Sequence, residues 1–226
     1  FTGNKFEFRM VGSSDSISSP NVVLNTITAE AFKEAADILE KAADFDTAVH
    51  DMIKEQLCSH RRIIFNGNGY SDAWVEEAER RGLPNLKSMV EAIPALTTEA
   101  SVKMFEEFKV FTKAELESRV EIEYEAYSKA INIEAKTMID MAGKQIIPAA
   151  VKYASLLADS LGKVKAACPV ADISVQEELL IEVSALLSDM KVALAGLNDV
   201  AEKCAAVEGN KEQATAYHDE AVPAMA

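Results

Sequence analysis

In the opening stretch NKFEFRMVGSS, Lys5, Glu7 and Arg9 alternate with Phe6, Phe8 and Met10. Side chains alternate across a strand with period two, so the pattern predicts a strand over residues 5–11. One face is apolar and turns to a core. The other shows a carboxylate between two cations, an arrangement suited to a divalent metal ion and an anionic substrate. The same pattern also describes the commoner half-buried edge strand with a solvated polar face, and spacing alone does not separate the two.

Little else in the chain has the spacing of a reactive site. His50, His60 and His218 are isolated, and none forms the i, i+4 pair of a helical metal site. Glu106 and Glu107, and the run Glu115, Glu117, Glu121, Glu123 and Glu125, lack the Glu-x-x-His signature of di-iron bundles and read as solvated helix faces. Asn66-Gly67-Asn68-Gly69 precedes a predicted helix, as phosphate-cradling loops do. It carries neither G-x-x-x-x-G-K-[ST] nor G-x-G-x-x-G, so a tight structural turn is the expectation. Cys58, Cys168 and Cys204 are odd in number and far apart, against a disulfide framework or zinc ribbon. They are expected to be small buried apolar residues in a reducing, cytoplasmic protein.

Composition narrows the class. With 226 residues the chain can bury a substantial core, and scarce Gly and Pro beside abundant Ala and Glu favour helix. A net charge of −14 argues against nucleic acid or an anionic membrane as partner. No apolar run reaches membrane-spanning length, and no signal peptide is evident. The chain opens at Phe1 rather than at a methionine, which leads us to expect a piece of something longer.

The elements that must position these residues are mostly helices. GSSDSISSP is a polar loop, and Pro20 suits the first turn of a helix with apolar residues at 24, 27, 31, 35 and 38. A second helix is predicted from about Asp46 to Arg61. RIIFNGNGYSDAW interrupts, with β-prone Ile63, Ile64 and Phe65, and Ser71 then caps a short helix ending near Gly82. Thr112 and Glu115 predict a capping box. From Leu116 to Ala142 one apolar stripe marks a helix of about 35 residues, roughly 50 Å long. Pro148 is expected to kink or break it, with a further helix to about Ala167. Ser174 and Glu177 predict a second capping box, opening another long amphipathic helix through Cys204. The segment from about Lys211 to Ala221 either packs as a closing helix or frays. Long helices on short connections predict an antiparallel bundle. The expected class is therefore mainly α, a long-helix bundle behind a short strand-containing remnant. Left to these signals alone, the helical part is a scaffold or oligomerisation module without an active site.

The motifs KFEFRMVGSS, PNVVLNT and RRIIFNGNGYS resemble glutamine synthetases, specifically the large type III form. The order Pro20-Asn21 departs from the Asn-Pro of the commoner types, and Lys5 stands where an Arg is more usual. The resemblance implies that residues 1–85 are the C-terminal part of an α+β catalytic domain and residues 86–226 the helical type III C-terminal domain. It implies ATP-dependent ligation of ammonia to glutamate through γ-glutamyl phosphate, by a homo-oligomeric ring, a dodecamer. It further implies that Glu7 ligates Mg2+ or Mn2+, that Arg9 contacts glutamate or the transferring phosphoryl group in substrate binding and catalysis, and that Lys5 contacts nucleotide phosphate. On that basis the fragment alone is expected to be inactive.

Overall fold

The computed structural model describes residues 16–226. The strand expected over residues 5–11 lies outside them. Among the described residues the architecture is helical throughout, with no strand. Two compact units form, one comprising residues up to Ser88 with Pro94–Glu117, the other Met89–Ile93 with Ser118–Ala226.

In the first unit, α1 (Ser18–Leu39) takes Pro20 into its first turn, where a missing N–H costs nothing. Asp44 caps α2 (Phe45–Ser59) by accepting the Thr47 N–H. The β-prone residues do not make a strand. Arg61–Ile63 form a 3-10 turn and the chain then runs irregularly to α3 (Asp72–Arg80). Gly82, at φ +69°, ends α3. Its N–H bonds Glu79 O while Leu83 N–H reaches Ala78 O, a Schellman closure. The core gathers at α5 (Glu99–Glu107), where Met104, Phe105 and Leu116 are buried against Val22, Val23 and Phe111. Neither α2 nor α3 buries a residue.

α6 (Lys113–Met141) starts in the first unit, at the predicted capping box. Glu115 accepts the Thr112 N–H at 2.8 Å, and Thr112 Oγ1 accepts the Glu115 N–H at 3.3 Å.

The second unit contains the four-residue α4 (Met89–Ala92) and is built on α6, α7 (Ile147–Ala167) and α8 (Ser174–Ala205). Pro148 does not break the helix. Residues 142–146 form a π-turn, and Ile147 donates its N–H to Ala142 O, five residues back. The wider turn relieves the clash a proline ring makes with the carbonyl of residue i−4. A continuous rod of roughly 80 Å results, at about 1.5 Å per residue. The same device recurs before Pro223, where residues 217–221 form a π-turn and Val222 N–H bonds Tyr217 O.

α8 runs antiparallel to the rod. Leu197 and Ala201 cluster with Ala135 of α6, and the later Cys204 clusters with the earlier Tyr127 and Ile131. It also packs on α7. The predicted capping box at its start is displaced. Ile173 occupies the N-cap position, and Asp172 takes the Ser174 N–H at 3.0 Å. The closing segment, α9 (Asn210–Ala216) through α10 (Val222–Met225), packs rather than frays, burying Ala214, Tyr217 and Ala221.

Candidate functional site

Lys5, Glu7 and Arg9 lie outside the described residues, so the structure does not place the predicted catalytic face. What it does place is the Gly-rich segment that shares the resemblance, residues 62–83.

That segment is held by one aromatic and ionic cluster. Trp74, on the first turn of α3, stacks on Phe65 with ring centroids 4.0 Å apart and planes at 24°. The Arg81 guanidinium lies 5.5 Å from the Trp74 ring and 5.9 Å from the Phe65 ring. Its Nη1 donates to Ile64 O at 2.9 Å and Arg62 O at 3.2 Å, and its Nε donates to Glu77 Oε1 at 2.5 Å. Arg80 also pairs with Glu77. Hydrogen bonds from Arg80 and Arg81 hold the Glu77 carboxyl below its ordinary pKa.

Within the turn, Gly67 passes close under Phe65. A Cβ at residue 67 would lie 2.5 Å from Phe65 Cζ. Asn68 Oδ1 accepts the Tyr70 N–H at 3.0 Å, and Asn68 O accepts Ser71 Oγ at 2.9 Å and Ser71 N–H at 3.3 Å. These donors are engaged within the loop, as a structural turn requires. Tyr70 stands 84% exposed at its tip. Sequence reasoning found the turn but missed Arg81, whose long-range contacts have no periodic signature.

Elsewhere among the described residues, several side chains that could do chemistry serve structure. Among the described residues, no group of three or more His, Cys, Asp or Glu is placed to hold a metal ion. Glu115 closes the capping box, Glu121 accepts from Asn210 at 2.8 Å, and Glu125 pairs with Lys129 at 2.6 Å. His50 and His218 each lie beside the following aspartate. Of the cysteines only Cys204 is buried as expected. Cys58 and Cys168 are exposed, because α2 buries nothing and Cys168 caps the end of α7. Burial pushes the Cys204 thiol up, Glu220 adding to it, which keeps it protonated and unreactive. Burial likewise raises Tyr124, Tyr127 and Tyr217. No helix among the described residues is long and apolar enough to cross a membrane.

Comparison with known proteins adds what this geometry lacks. The model of the glutamine synthetase C-terminal domain family matches residues 48–165, from α2 through most of α7. A type-3 glutamine synthetase of Dictyostelium discoideum is 42% identical over 73% of this chain and 23% of its own length. A glutamine synthetase of Bacteroides fragilis is 32% identical over 99% of this chain and 32% of its own length. One of Butyrivibrio fibrisolvens is 39% identical over 68% of this chain and 22% of its own. The chain thus spans between about a fifth and a third of the relatives it matches.

Proposed function

This chain belongs to the glutamine synthetase C-terminal domain family, as a C-terminal portion of the type III form, and on that premise we propose that it completes the active site of a glutamate–ammonia ligase. Residues up to about 85 are assigned to the catalytic domain and residues 86–226 to a helical domain serving packing and assembly of a homo-oligomeric ring, in a cytoplasmic enzyme.

The reaction begins with attack of the glutamate γ-carboxylate on the γ-phosphorus of ATP, releasing ADP and forming γ-glutamyl phosphate. Ammonia then attacks the acyl carbon of the γ-glutamyl phosphate (Cδ), phosphate leaves, and the nitrogen sheds its extra proton to give glutamine. Negative charge accumulates at every stage, so the site must be cationic and rigid. Glu7 supplies an oxygen ligand, the donor a hard cation prefers. Mg2+ or Mn2+, when bound, offsets the phosphate and carboxylate charge. Arg9 pairs with glutamate or the transferring phosphoryl group through its planar fork of donors, and Lys5 contacts the nucleotide phosphates.

The observation that carries this reading is the alignment of nearly all of this chain with about a third of a glutamine synthetase, together with a Lys-x-Glu-x-Arg alternation of suitable chemistry. One carboxylate cannot build a metal site, and the described residues offer no other ligand cluster. The chain spans only about a fifth to a third of the relatives it matches, so the 226-residue chain alone is expected to be inactive, with residues outside it supplying the other ligands. Assaying the purified chain for γ-glutamyl transfer tests this directly. No turnover is expected, and measurable turnover overturns the assignment of an incomplete site.

The competing reading is a non-enzymatic helical scaffold, which draws on the absence of any reactive constellation among the described residues. Glu7→Ala in the full-length protein separates the two. A scaffold tolerates it, whereas the ligase loses metal-dependent activity with its fold intact.

A further inference from the structure

One dipeptide occurs twice in a row on the exposed loop, as Asn66-Gly67 and Asn68-Gly69. An asparagine followed by glycine is chemically labile. The glycine nitrogen can approach the side-chain amide carbon of the asparagine with no Cβ of its own in the way. The two pairs are identical in sequence, so any difference in their reactivity is set by the fold.

The fold treats them differently. Asn68 is tied at both ends. Its Oδ1 accepts the Tyr70 N–H at 3.0 Å, which holds the side-chain amide against the residue beyond Gly69. Its backbone carbonyl accepts Ser71 Oγ at 2.9 Å and the Ser71 N–H at 3.3 Å, which fixes the peptide plane joining it to Gly69. Attack of Gly69 N on Asn68 Cγ must turn that amide and that plane, and so must break these bonds. Asn66 carries no such restraint. Among the described residues it makes no hydrogen bond through side chain or backbone, and the Gly67 N–H is equally unbonded.

Packing also demands glycine in one pair and not in the other. A Cβ on residue 67 would stand 2.5 Å from Phe65 Cζ and 3.0 Å from Cε1, whereas on residue 69 it would meet nothing within 4 Å. Phe65 is itself held by its stack on Trp74. The fit under Phe65 therefore keeps, next to Asn66, the one residue type that leaves its backbone nitrogen unshielded.

We propose that Asn66 is a site of spontaneous covalent modification, a one-way deamidation that ages this loop, and that the fold protects Asn68 from the same reaction. Gly67 N gives up its proton to hydroxide and attacks Asn66 Cγ. The N–Cγ bond forms, the Cγ–Nδ2 bond breaks, and Nδ2 leaves as ammonia with a proton from water. Water then opens the five-membered imide, at the side-chain carbonyl to give aspartate or at the backbone carbonyl to give isoaspartate. Either product adds a negative charge, and isoaspartate also adds a methylene to the main chain. The turn has no slack where Gly67 passes under Phe65, so the added length shifts the ring from Trp74 and loosens residues 62–83. This inference is independent of the ligase reading.

Peptide mass spectrometry of the full-length protein, held in warm, mildly alkaline buffer, tests it. In the folded protein Asn66 converts about fivefold faster than Asn68 or more, the factor that one hydrogen bond to be broken imposes. In urea the two convert at similar rates, because only the fold distinguishes them. Equal rates in the folded protein, or faster conversion of Asn68, overturn the proposal. So does a folded protein whose Asn66 stays intact while the unfolded chain converts completely. Anion exchange separates the more acidic product, in which amide hydrogen exchange over residues 62–83 is faster than in unreacted protein. Equal exchange in the two overturns the claim that the reaction loosens the loop.

Discussion

Ala142 and Ile147 are five residues apart yet share the inner side of one continuous helix, because Ile147 donates its backbone N–H to the Ala142 carbonyl. In a regular α-helix five residues turn about 500°, which would place the two well apart around the axis. The π-turn absorbs the extra residue. The buried stripe that runs from Ala135 of α6 through Ala142 of the π-turn thereby continues into Leu157 of α7 on the side that meets α8.

Deleting Gly143 is therefore expected to be mild. The turn closes to an ordinary α-turn and the stripe stays in phase, so urea unfolding should shift by about 1 kcal/mol or less. Inserting one alanine after Gly143 rotates α7 by about 100° and draws Leu157 out of its contacts, at a cost of about 2–4 kcal/mol. Equal damage from the two changes would show that the π-turn does not set the phase.

Lys109 follows α5 at φ +55°, the left-handed conformation of a Schellman closure in which Val110 N–H bonds Phe105 O. Glycine adopts this conformation without steric strain. Lys109→Gly should raise unfolding stability by about 0.5–1 kcal/mol, read by chemical denaturation. A loss of stability would mean that the lysine side chain contributes more than its backbone costs.

Glu77 gives the Arg81 cluster a pH dependence of known sign. Its folded pKa is lowered by the hydrogen bonds from Arg80 and Arg81. Its contribution is thus complete above the ordinary glutamate pKa and is lost as pH falls through the lowered folded value. Trp74 is the single tryptophan, so its emission reports the Phe65–Trp74–Arg81 stack. Wild type should show an emission change on acidification below the usual carboxylate range, and Glu77→Gln should lack it. The same acid transition in both proteins would assign it to another carboxylate.

The legible parts of the fold were those whose signals are local. Thr112 and Glu115 made their capping box, Gly82 ended α3, and the stripe from Leu116 to Met138 became α6, with Ala142 opening the π-turn. Ser174 and Glu177 carried the same motif, but Asp172 reached the Ser174 N–H first, a competition that pattern matching does not weigh. Pro148 is expected to kink or break the helix, the usual outcome of a proline inside one, whereas the π-turn before it relieves the ring's clash and lets the helix continue. Cys58 and Cys168 were expected to be buried on chemical type alone, while their exposure follows from where α2 and the end of α7 lie. At the candidate site the turn at Asn66–Gly69 could be read from its residues. The Arg81 contacts to Ile64 and Arg62, 17 and 19 residues away, could not.

The most direct test of the account is the metal-dependent, ATP-dependent formation of glutamine by the full-length protein carrying Glu7→Ala. Removing the proposed ligand should lower turnover by about a hundredfold or more, with unchanged helix content and thermal unfolding. Full activity with an unchanged dependence on Mg2+ or Mn2+ would contradict the claim that this chain contributes Glu7 to the active site.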